Sequence, residues 1–166
     1  MKNSKEIDIA QKLIRCISIA PKDGGALKIV EKKCKSMGFK CTKLRFAEKG
    51  FDTINNLYAE IGSGSPHFSF AGHVDVVPAE KKEWAVDPFA GKIKNNFLHG
   101  RGAVDMKSAI ACFISATKSY LEENKNFKGK ISVFGKDVIH DYKESRKKIS
   151  SLLSPLKSPV MISEGL

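Results

Sequence analysis

The stretch His67-Phe68-Ser69-Phe70-Ala71-Gly72-His73-Val74-Asp75-Val76-Val77-Pro78 decides how the rest of the chain is read. Phe68, Phe70, Val74 and Val76 alternate with Ser69, Ala71, His73 and Asp75, and this period predicts a β-strand from His67 to Val77. Side chains two apart on a strand share a face, so His73 and Asp75 are expected together. Imidazole suits zinc and similar divalent ions, and a nearby carboxylate orients the ring and raises its basicity. A His and an Asp on one strand face serve equally well as a solvated surface. Pro78 has no N–H to give to a ladder and ends the strand.

Downstream, Gly100-Arg101-Gly102-Ala103-Val104-Asp105-Met106-Lys107 runs into a segment where Ile110, Phe113, Ile114, Thr117 and Leu121 recur at helical spacing. Asp105 is thereby placed at a helix start. One reading is an N-cap, with the carboxylate accepting backbone N–H bonds and complementing the helix dipole. The other is a metal bridge, because a carboxylate has two oxygens and can join two cations roughly 3.5–4 Å apart. The flanking glycines allow close backbone approach in either case.

The remaining sequence alternates helical and extended patterns. Ile7, Ala10, Leu13, Ile14 and Ile17 form one apolar stripe, a second helix is expected over Ala26 to Met37, and Gly38 is its C-cap. Phe39, Cys41, Leu44 and Phe46 predict a strand; Leu57, Ala59 and Ile61 predict another; Gly62 to Pro66 reads as a turn. Asn95-Asn96, between Ile93 and Phe97-Leu98, suits a tight hairpin because asparagine tolerates positive φ. His99 reads as structural and His67 as exposed.

The 166 residues carry 42% hydrophobic content, enough for one core. No signal peptide or membrane-length apolar run is present in the sequence, so a cytoplasmic location without membrane contact is expected. Cys16, Cys34, Cys41 and Cys112 lack Cys-x-x-Cys spacing and read as buried free thiols. The net charge of +11 raises nucleic-acid binding, but Lys32, Lys33, Lys35, Lys40, Lys43 and Arg45 are scattered among core positions without stacking aromatics. A lysine-rich solvated surface is the expectation, with no nucleic-acid partner.

From about Ile7 to Phe134 the chain resembles the N-terminal part of the succinyl-diaminopimelate desuccinylases, within the M20 family of metallopeptidases and deacylases. The resemblance is carried by Phe70 to Pro78, by Trp84 followed by Asp87-Pro88-Phe89, and by Gly100 to Lys107, in the family's order and separation. It implies a three-layer α/β fold with a mostly parallel sheet, forming an incomplete catalytic domain without the lid and dimerisation domain. It implies that His73 is a ligand of one metal, that Asp105 bridges two, and that Asp75 orients His73. The activity implied is hydrolysis of the amide of N-succinyl-diaminopimelate, with two divalent ions, zinc or cobalt, as cofactors. The small-molecule partner is therefore an N-acylated amino acid, and the products feed lysine and cell-wall synthesis. Acetylornithine deacetylases and aminoacylases share the His-x-Asp and the later Asp, so these activities stand as alternatives.

The family places a Glu-Glu pair, general base and ligand, shortly after the strand that Lys130-Ile131-Ser132-Val133-Phe134 represents. Here the chain reads Gly135-Lys136-Asp137-Val138-Ile139-His140. Removing a general base costs typically 10²–10⁴-fold, and losing ligands weakens metal binding. The expectation is a partial hydrolase domain over 1–134, inactive alone and at most partly loaded with metal. A divergent basic tail over 135–166 is expected to form one helix and a loose end. His140 and Glu144 are helically spaced there and read as solvated charge. A frameshift, deletion or early stop would account for the change after Phe134. Two functional readings follow, a half-enzyme completed by a separately encoded C-terminal half and a non-catalytic remnant.

Overall fold

The computed structural model describes residues 4–47, 49–50 and 52–136. The chain opens with α1 (Lys5–Arg15) and α2 (Ala26–Ser36), followed by β1 (Lys40–Phe46), β2 (Ile54–Ser63) and β3 (His67–His73). A short hairpin, β4 (Lys92–Lys94) and β5 (Phe97–His99), precedes α3 (Ser108–Glu123) and β6 (Gly129–Lys136). The tail expectations, including His140 and Glu144, lie outside the described residues. No helix among those described is long and apolar enough to cross a membrane.

The helices form near the apolar stripes, but α1 ends at Arg15, which leaves Ile17 of the expected stripe exposed and puts Ile9 on the buried face instead. Ile9, Ala10, Leu13 and Ile14 are the buried face of α1, and Ile110, Ala111, Ile114 and Thr117 that of α3. Asp8 and Lys12 pair at 2.7 Å on the solvent side of α1. At the end of α2, Gly38 adopts φ 90° while Phe39 N–H donates to the Cys34 carbonyl at 3.1 Å, so the glycine turns the chain into β1. Asn95 and Asn96 take φ 51° and 64° in the β4–β5 turn, as their type predicts.

The main sheet has the order β1-β2-β6-β3. The expectation of a mostly parallel sheet is corrected: β1 and β6 both run antiparallel to β2, and only β3 and β6 are parallel. The reason is connectivity. A short connection joins β1 to β2, which forces antiparallel neighbours, and only β3 and β6 are linked by a crossover containing a long helix. Leu57, Ala59, Ile131 and Val133 face the cluster to which α1, α2 and α3 all contribute, while Leu44, Phe46, Tyr58 and Phe134 form a second cluster. Among the described residues the three helices pack against one face of the sheet. Each fully buried side chain such as Leu13, Ile14 or Ile114 contributes about 1.5–3 kcal/mol by leaving water.

Two smaller expectations are also corrected. Cys112 is exposed, whereas Cys16 and Cys34 are buried and Cys41 is half-buried. His67 is half-buried, not exposed, because Nε2 lies 2.8 Å from the hydroxyl of the fully buried Ser132 on the neighbouring strand.

Candidate metal centre

The end of β3 sets the position of the imidazole. The parallel ladder runs from His67 opposite Lys130 to His73 opposite Lys136, and β3 stops there. The predicted strand to Val77 is therefore four residues too long. Beyond His73 the segment turns to a different partner: Ser18 Oγ donates to the Val74 carbonyl at 2.6 Å, Val76 N–H donates to the Ser18 carbonyl at 2.8 Å, and Ile19 bridges Val76. His73 thus sits at the carboxyl end of a strand, where open sheets place their sites. Gly72 before it admits its neighbours closely, since a Cβ there would stand 2.9 Å from the Phe70 ring and 3.2 Å from Ile110.

The second acidic group arrives on a turn. Gly102 adopts φ 80°, and a Cβ on it would come within 2.6 Å of Val76. Lys107 N–H donates to the Gly102 carbonyl at 2.9 Å, closing the turn. Asp105 (φ −119°, ψ 101°) and Met106 (φ −133°, ψ 29°) are non-helical between them, and their peptide bond is cis. The N-cap reading of Asp105 is not what the fold uses, because α3 begins at Ser108 with no side-chain cap. The Asp105 carboxylate instead reaches His73, with Oδ1 2.9 Å from Nε2.

The two ring nitrogens of His73 face different oxygens. Nδ1 lies 3.1 Å from the Asp75 backbone carbonyl, and Nε2 faces Asp105. A carbonyl and a carboxylate oxygen accept, so both contacts are hydrogen bonds when the ring carries a hydrogen on each nitrogen. The electrostatics agree. Asp75 and then Asp105 raise His73 to about 9 against the opposing effect of burial. Asp75 Oδ1 is buried 3.3 Å from Nδ1 with no other partner, so the Asp75 carboxylate and backbone carbonyl both face this nitrogen. Strand alternation predicted that His73 and Asp75 share a face. They do meet, but through the turn after the strand.

These atoms suit a divalent cation. Two donors each about 2.0–2.2 Å from one zinc ion stand roughly 3–3.4 Å apart at ordinary coordination angles, close to the observed separation. The Asp105 side chain is 81% exposed and that of His73 18%, so an ion has access from solvent. Among the described residues, no group of three or more His, Cys, Asp and Glu side chains is positioned to hold a metal. The pair brings together two groups able to act as donors.

Three surrounding residues escaped the sequence reading. Lys107 is fully buried, its Nζ donates to the Cys16 carbonyl at 2.9 Å, and burial lowers it to about 8 against the pull of Cys16 and Asp75. Its phase was a usable signal, since position 107 continues the stripe of Ile110, Ala111 and Ile114. Ser18, also fully buried, is invisible in pattern because its bonds go to a distant strand. Arg101 places its guanidinium 5.2 Å from the centre of the Trp84 ring, which gives a physical link between two of the quoted motifs.

Residues 69–136 match the sequence profile of Peptidase family M20/M25/M40. Succinyl-diaminopimelate desuccinylase of Parvibaculum lavamentivorans is 52% identical over 128 residues, covering 76% of this chain and 32% of that protein. Human carnosine dipeptidase 1 superimposes with a TM-score of 0.76 at 16% identity, covering 89% of this chain and 35% of its own. An M20 family metallo-carboxypeptidase, Sso-CP2 from Sulfolobus solfataricus, gives 0.68 at 20% identity, covering 93% and 36% respectively. At these identities the structural likeness establishes the fold alone. The chain spans about one third of the length of the curated relatives it matches.

Proposed function

Residues 69–136 are M20-family sequence, and from that premise we propose that this chain carries part of a divalent-metal amide hydrolase site of the succinyl-diaminopimelate desuccinylase type. The single observation behind the reading is the 2.9 Å approach of His73 Nε2 to Asp105 Oδ1 within the matched segment. His73 would ligate one ion through Nε2, Asp105 would bridge two, and Asp75 would hold the ring and its charge. When bound, the cations, zinc or cobalt, supply Lewis-acid polarisation of the amide carbonyl and a nucleophile available at neutral pH. The protein's part is to keep Nδ1 protonated toward the Asp75 carbonyl, which leaves Nε2 as the ligating nitrogen.

The sequence at the end of β6 departs from the family's pattern. Gly135-Lys136-Asp137 stands where the family's Glu pair is expected, and a positioned base is worth typically 10²–10⁴-fold in rate. We propose that His73 and Asp105 are one part of the metal site, and that the general base and the remaining ligands lie outside residues 4–136. The acyl-amino-acid substrate class rests on the 52% identity to a desuccinylase.

Cobalt(II) titration of the 166-residue chain, followed by visible absorption, tests the metal reading. A saturable band that disappears in H73A is expected; no band, or one unchanged in H73A, overturns it. Assay on N-succinyl-diaminopimelate tests the second part, with no turnover expected until a polypeptide spanning the rest of a desuccinylase is added. Turnover by the purified chain that survives removal of residues 137–166 would overturn this placement of the base.

A further inference from the structure

Lys107 has the largest fully buried side chain among the described residues. Burying an ammonium costs several kcal/mol unless its surroundings compensate, and an apolar side chain of similar volume is often as stable or more so. A lysine kept in this position needs a task that methionine could not perform. Its contacts identify one.

Lys107 anchors the Asp105 turn at both ends of its own residue. Its backbone N–H closes the turn onto Gly102, and its ammonium reaches the carbonyl of Cys16, the residue capping the end of α1. The negative end of that helix favours a cation there. The aliphatic stem is packed against the turn, since a Cβ on Gly102 would lie 3.2 Å from Lys107 Cδ. Asp105 has no packing to fix it, with an 81% exposed side chain and a non-helical backbone. Two residues beyond Cys16, Ser18 holds Val74 and Val76, the continuation of the His73 strand. The segment leaving α1 therefore serves as one frame for both halves of the pair, gripping the His73 side through Ser18 and the Asp105 side through Lys107.

We propose that Lys107 is a positioning residue that sets the Asp105 carboxylate against His73 by tying the Gly102–Lys107 turn to the Cys16 carbonyl. The geometric statement stands on the metal-free contacts, and its consequence for metal affinity rests on the proposed function above.

The test compares K107M, K107R and D105N in the full chain without metal, following the His73 ring signals by carbon-edited proton NMR, with H73Q for assignment. V30A, which truncates a buried α2 residue of the core, controls for general loosening. K107M is expected to move the His73 signals most of the way to their D105N positions, while K107R and V30A leave them near wild type. His73 signals at wild-type positions in folded K107M, or equally displaced in V30A, overturn the proposal. If K107M does not fold, K107Q, whose amide ends one bond short, takes its place with the same two outcomes. Cobalt titration of the same proteins then separates the two readings. A wild-type chain that binds no cobalt, with the His73 shift present in K107M, refutes the metal function and leaves the positioning role standing.

Discussion

Nε2 of His73 and Oδ1 of Asp105 stand 2.9 Å apart although the residues are 32 positions apart in sequence. The contact joins the end of a strand to a turn before a helix, and the proposed metal reading puts a divalent ion between the same two atoms. On that reading proton and metal compete for one position, and the predictions about the site follow from that competition.

The stability of the metal-free chain should depend on pH through His73. Its folded pKa of about 9 lies above the ordinary value of 6.5. A raised pKa means the folded state holds the proton more tightly, so the stabilisation is fully present below about 6.5 and is lost as pH rises through about 9. Urea midpoints of wild type and H73Q should differ most near neutrality and below, and the difference should shrink across that window. A difference independent of pH would refute the imidazolium assignment.

Zinc affinity, by the same competition, should rise with pH over that window. D75N should weaken it by about 10–100-fold, the usual effect of removing a group that orients a ligating imidazole. Calorimetric zinc titration of D75N against wild type measures this, and equal affinities would show that the buried Asp75 carboxylate has no influence on the ring.

Gly102 should not tolerate alanine. Its φ of 80° disfavours any side chain, and the added carbon would meet Val76 at 2.6 Å. G102A should lose more than about 1 kcal/mol in urea unfolding and should weaken zinc binding as well, because the turn carries Asp105. Wild-type stability in G102A would mean that the turn does not need this backbone conformation.

On the far side of the sheet from the helices, Lys130 Nζ pairs with Glu60 Oε2 at 2.7 Å, and this pair lowers Glu60 below the usual carboxylate range. Its stabilisation is present above the unfolded value and lost as pH falls through the lowered one. Both side chains keep some solvent contact, so E60Q should cost no more than about 1 kcal/mol at neutral pH. The cost should vanish in acid. Parallel acid titrations of wild type and E60Q, followed by circular dichroism, check the sign.

Local structure was legible in the sequence wherever one periodicity acted alone. The helices α1, α2 and α3 and the Asn95-Asn96 turn fall close to where the pattern puts them, because helical phase and positive φ are local properties, although Ile17 lies beyond the end of α1 and is exposed. Sheet direction was not legible, since alternation in β1 and β2 marks two strands without stating which way a neighbour runs. Nor was the end of β3: Val74 and Val76 keep the alternation of a strand but pair with Ser18 and Ile19, and no nearby residue announces that exchange. The motifs carrying His73 and Asp105 singled out two side chains that the fold brings together, while the residues that hold them required the fold. Ser18 and Lys107 act across long sequence separations, and Lys107 conflicts with the ordinary rule that lysine faces water.

The most direct measurement is a crystal structure of the chain grown with zinc, with anomalous scattering recorded at the zinc edge. The account predicts a peak between the two side chains, about 2.0–2.2 Å from both His73 Nε2 and an Asp105 carboxylate oxygen, with the direct His73–Asp105 hydrogen bond replaced. Zinc bound elsewhere while that hydrogen bond stays intact would contradict it.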